Sequence, residues 1–89
     1  MVRMFVRHTV ANYGVWRRAY NAFDKERKGL GVKAHAVFRT AGKPNDITLW
    51  HDFATLAKAK SFAGNPRLKE VMKGAGVTSA PAIWFAKAA

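Results

Sequence analysis

Two histidines interrupt strand-like runs that are otherwise apolar. His8 follows Val2, Met4 and Val6 at every second position, and His51 falls in step with Ile47, Leu49 and Phe53. Imidazole titrates near neutrality, so either ring suits removal of a proton from an activated phenol or enol. The plainer reading of each is a core histidine satisfied by a backbone carbonyl. A shared metal is a poor fit. On antiparallel neighbouring strands the two rings lie about four residues, or roughly 13 Å, apart, whereas one ion holds its ligands at about 2 Å. No third ligand of suitable type accompanies them, so neither a metal nor a cofactor is expected. Tyr13, Trp16 and Tyr20 recur at helical spacing. They would serve as a wall for a flat aromatic compound or simply as the buried stripe of a helix, although buried tyrosine hydroxyls need partners.

Other chemistries lack their residues. The absence of cysteine removes disulfides, thiolate metal sites and thiol catalysis. No nucleophile–base triad, phosphate loop or dinucleotide fingerprint occurs. The only glutamates, Glu26 and Glu70, fall in helical segments, which leaves no paired-carboxylate site.

The elements that must position the histidines follow from periodicity. Residues 2–8 alternate as a strand. Asn12 caps a helix in which Tyr13, Trp16, Tyr20, Phe23 and Arg27 share one stripe, and Gly29 and Gly31 stop it. A second strand alternates Val32, Ala34, Ala36 and Phe38 against Lys33, His35, Val37 and Arg39. Ala41–Asp46 reads as a turn, because Pro44 cannot continue a ladder. The third strand carries Ile47, Leu49, His51 and Phe53 opposite Thr48, Trp50 and Asp52. Thr55–Ala63 is a helix burying Leu56, Ala59 and Phe62. Asn65-Pro66 starts another that turns Leu68, Val71 and Met72 inward. Ala82–Lys87 is the last strand, with Ile83 and Phe85 against Trp84.

The order β-α-β-β-α-(α)-β, with right-handed crossovers, predicts a ferredoxin-like α+β domain spanning 1–89. Its antiparallel sheet has strand order 4-1-3-2 and helices on one face. The apolar phases, including Ala34, Ala36 and Phe38, should face the helices. Arg3, Phe5, Arg7, His35, Val37, Arg39, Thr48, Trp50, Asp52 and Trp84 should line the open face. Such an aromatic patch is rarely left bare. At 89 residues the core is thin, so support from a second copy is expected.

The net charge of +11 raises nucleic acid, anionic membrane and anionic small molecules as partners. RNA-recognition modules share this element order and stack bases on the sheet. Here the third strand has no glycine and two aspartates, and the basic residues lie on outer helix faces, so a nucleic-acid role is disfavoured. No apolar run approaches a membrane span, and Arg3 and Arg7 break any signal-like core. A cytoplasmic protein is expected.

Three stretches carry a resemblance: Arg7-His-Thr-Val-Ala-Asn-Tyr-Gly-Val-Trp-Arg17, Gly31 to Arg39, and Pro44 to Phe53. Asn65 to Lys69 and Met72 to Val77 continue it. The chain resembles small bacterial members of the dimeric α+β barrel superfamily, of the cyclase-like and antibiotic-biosynthesis-monooxygenase-like kind. The resemblance implies that two sheets pack face to face as a homodimer, with a pocket inside each subunit between helices and sheet. It also implies a small aromatic or polyketide-like ligand. The reaction, if there is one, would be cofactor-free monooxygenation or cyclisation, with His51 or His8 as base and Tyr13, Trp16 and Tyr20 positioning the ring. A non-catalytic ligand-binding or dimerising barrel is the alternative.

Overall fold

The computed structural model describes residues 1–89. The strands are β1 (Val2–Thr9), β2 (Ala34–Thr40), β3 (Lys43–Phe53) and β4 (Ala82–Ala86). The helices are α1 (Tyr13–Ala22), α2 (Asp24–Gly29), α3 (Leu56–Ala63) and α4 (Pro66–Gly74). All strand pairs are antiparallel and the sheet order is β2-β3-β1-β4, the ferredoxin-like arrangement expected. No helix is long and apolar enough to cross a membrane.

Strong alternation fixes the central strands. Val2, Met4, Val6 and His8 of β1 and Ile47, Leu49, His51 and Phe53 of β3 are all buried on the helix side. Phe53, Met4 and Ile47 are the largest side chains with essentially no exposure, so the core centres where β1 meets β3. Asn12 caps α1 by accepting the Val15 N–H at 3.0 Å, and Thr55 caps α3 by accepting that of Lys58 at 3.2 Å. Asn45 adds a tie between elements. Its side-chain oxygen accepts the Tyr13 N–H at 3.0 Å, and so fixes the start of α1 to the start of β3.

Four expectations are corrected. First, β2 is in the opposite phase. His35, Val37 and Arg39 pair with His51, Leu49 and Ile47 and therefore share the helix side, whereas Ala34, Ala36 and Phe38 join the open face. A register shift of one residue reverses every side chain, and two alanines offered too little apolar contrast to choose. β2 is also an edge strand with no fully buried residue, which lets polar side chains occupy its inner face. Second, the hairpin turn is only Ala41-Gly42, with Gly42 at φ +78°. Pro44 is accommodated in β3 because a bulge interrupts pairing there, and its carbonyl accepts from Arg39 Nε at 3.0 Å. Third, the first long helix breaks at Phe23 (φ −84°, ψ 1°) into α1 and α2. The Phe23 N–H is shared between the Ala19 and Tyr20 carbonyls, at 3.2 and 3.3 Å, as at a helix end. Phe23 and Arg27 are nonetheless both buried, so the stripe persists through the break. Fourth, Leu56 lies at the exposed start of α3, while Ala59 and Phe62 are buried as expected.

The open face carries Phe5, Trp50, Trp84 and Phe38, with Phe38 and Trp84 well exposed. Phe5 and Trp84 stack at 5.4 Å. Its arginines pair within the chain: Arg3 with Asp52 at 2.8 Å and Arg7 with Asp46 at 2.8 Å.

Candidate functional site

Between the sheet and the helices lies a chamber of about 50 Å³. The floor is Met4, Val6 and His8 of β1 with Leu49 and His51 of β3. Trp16 and Tyr20 of α1, Arg27 of α2 and Phe62 of α3 form the walls, and Leu68, Val71 and Met72 of α4 close it. Alongside runs an apolar groove of about 340 Å³ between α4 and β4, rimmed by Lys69 and Lys73. The two spaces share Met4, Val6, Leu68 and Met72 as lining. The chamber alone suits little more than water. A ring-sized occupant must extend into the groove by displacing α4 side chains, and Met72 has the torsional freedom for that.

His51 is 4% exposed and neither ring nitrogen has a hydrogen-bond partner. No backbone carbonyl satisfies this buried ring. Phe62 packs on the ring at 5.2 Å, with His35 at 6.0 Å and Tyr20 at 6.1 Å. Burial, then the Arg27 guanidinium and His35, push its pKa down to about 3. At neutral pH His51 is an uncharged ring offering one N–H donor and one lone pair to the chamber.

His8 is likewise buried, and its Nδ1 lacks a partner. Trp16 meets it edge-on at 5.6 Å. Burial lowers its pKa against the opposing pull of Asp46. The pairing of His8 with Ile47 and of His51 with Met4 keeps the two imidazoles four residues apart along the sheet. They serve opposite ends of the chamber and cannot share one ion.

Of the three aromatics, Trp16 and Tyr20 line the chamber, stacked at 5.0 Å. Tyr13 does not. It lies at the edge of the helix layer under the Arg39 guanidinium, 3.9 Å away, while still touching Trp16. The Tyr20 hydroxyl has the partner it requires, His35 Nδ1 at 2.6 Å. His35 Nε2 in turn approaches Asp24 at 3.6 Å. Burial raises the Tyr20 pKa, opposed by Arg27 lying 3.7 Å above its ring.

Two participants escaped the sequence reading. His35 was hidden by the reversed phase of β2. Arg27 was visible as a member of the stripe, seven residues after Tyr20, but a charged side chain at that position does not reveal by itself whether it faces a cavity.

No protein-family model matches the sequence, and no curated protein matches it either. Solved structures do match. SnoaB, a cofactor-independent oxygenase from Streptomyces nogalater, superposes with a TM-score of 0.74 at 15% identity, covering 99% of this chain and 94% of its own. A structure described as an antibiotic biosynthesis monooxygenase gives 0.75 at 8% identity over 100% and 99%. Rv0793 from Mycobacterium tuberculosis gives 0.73 at 13% over 99% and 94%. The chain thus has, over its whole length, the ferredoxin-like α+β fold of antibiotic biosynthesis monooxygenase structures.

Proposed function

We propose that this protein is a homodimer in which each helix–sheet chamber binds a small aromatic or polyketide-like compound and oxidises it with molecular oxygen without a bound cofactor. The observation that carries this reading is His51, a buried imidazole facing a chamber with both nitrogens unpartnered. Leaving such groups unsatisfied costs stability, which is characteristic of a residue held for a ligand. Trp16, Tyr20 and Phe62 supply flat apolar walls for a ring.

In this reading His51 accepts a proton from an activated CH₂ or O–H of the substrate. The resulting anion is electron-rich enough to react with oxygen, one oxygen atom ending in a new carbonyl and the other leaving as water. A ring with so low a pKa is a weak base alone, but an anion formed beside it favours its protonated state. His8, at the far end, would orient a second polar group of the substrate. The cofactor-independent chemistry named for SnoaB supports the reaction class, and the exposed Phe38 and Trp84 support burial of the open face by a second copy.

The test is oxygen uptake with hydroxylated naphthalenes and anthrones. Wild-type protein should consume oxygen, and His51→Ala should abolish uptake while remaining folded and dimeric. Retained binding without turnover in the wild type would favour the non-catalytic barrel instead.

A further inference from the structure

Arg27 is 2% exposed and lines the chamber. Its guanidinium stacks on the Tyr20 ring at 3.7 Å, donates to the Tyr20 carbonyl, and reaches Asp24 Oδ1 at 3.2 Å. Asp24 is its only carboxylate partner, and that carboxylate is partly solvated. It also serves Lys28 at 3.1 Å and faces His35 at 3.6 Å. No aspartate or glutamate lines the chamber. A buried cation compensated by one divided, half-wet carboxylate is under-paired. Beside it stands His51, buried and with both nitrogens unpartnered.

We propose that the chamber recognises an aromatic acid, and that Arg27 is the residue that holds its anionic oxygen. This rests on the reading of the chamber as a ligand site and adds the charge of the ligand. A neutral ring would leave Arg27 short of negative charge. An anionic oxygen supplies it, with a short charge-assisted hydrogen bond from the guanidinium and a second from the His51 N–H. Lys69 and Lys73 line the adjoining groove and are not among the chamber's own lining residues.

The probes are 2-naphthoate and its neutral isostere 2-naphthamide, compared by calorimetry. Wild-type protein should bind the naphthoate about tenfold more tightly, the worth of one charge-assisted hydrogen bond. Arg27→Gln keeps a donor for the Tyr20 carbonyl while removing the charge, and should bring the ratio close to one. Arg27→Lys should restore part of it. The Lys69→Ala/Lys73→Ala double variant should hold the ratio within about twofold of wild type. A measurement on unaltered protein guards against a misfolded variant: with ¹⁵N-labelled arginine, the Arg27 Nε–H resonance should move further at saturating naphthoate than at saturating naphthamide. Equal binding of the two probes, or a preference lost in the lysine variant but kept in Arg27→Gln, overturns the assignment to Arg27. Binding of neither probe overturns the chamber as a ligand site, and the anion proposal with it.

Discussion

Replacing His51 by leucine should make the protein less acid-sensitive. His51 has its pKa pushed from 6.5 down to about 3 by burial and by Arg27. The sign follows directly. Between these values the unfolded chain binds a proton that the folded chain refuses, so stability is full above about pH 6.5 and is lost as pH falls. At pH 5 the unfolded ring is almost wholly protonated and the folded one almost wholly neutral. The difference, about 1.5 decades of proton binding, corresponds to about 2 kcal/mol. His8 and His35 are shifted the same way, but they remain in both proteins and cancel in the comparison. Urea unfolding at pH 8 and pH 5, at one fixed protein concentration, is the assay. Wild type should lose about 2 kcal/mol more than His51→Leu between the two. At pH 8 the variant should match or exceed wild type, because two unpartnered nitrogens leave the core. Equal losses in both proteins, or a variant that is unfolded at pH 8, would refute the account of His51 as a strained, neutral group.

Three further outcomes follow from the packing. Trp84→Glu places a charge in the open-face patch beside Phe5; light scattering should show a dimer in wild type and a monomer in the variant. Phe53→Ala empties a wholly buried position against Phe62 and should cost about 3–5 kcal/mol in denaturant unfolding. Asn12→Ala removes the acceptor of the Val15 N–H and should cost about 1 kcal/mol by the same measurement.

What could be read ahead of the structure depended on contrast between neighbouring residues. In β1 and β3 large apolar groups alternate with arginine, threonine or aspartate, so facing, pairing and the inward turn of His8 and His51 were all legible. In β2 the choice lay between Ala34, Ala36 and Phe38 on one side and His35, Val37 and Arg39 on the other. Hydropathy favours the first set, two alanines give it little volume to bury, and pairing with β3 turned the second set to the helices. The reversal mattered for the site, since it places His35 against the Tyr20 hydroxyl. The break at Phe23 left no trace because the buried stripe runs on to Arg27. The chamber itself has no sequence signature. Its size is set by how far the α4 side chains fill the space above the sheet, a property of packing rather than of pattern.

The arginines of the open face bear on how that face meets another surface. Arg3 lies flat on Trp50 at 3.6 Å while its Nε and Nη2 donate to Asp52, at 2.8 and 3.1 Å. Arg7 grips Asp46 by the same two-pronged geometry. Each long side chain is thereby paired within its own chain, and its charge is already answered by a neighbouring strand. A docking surface would forfeit little rotamer freedom at these positions and would need to supply no counter-ion. Mere greasy complementarity would then suffice, a demand that an identical copy turned through half a revolution can meet.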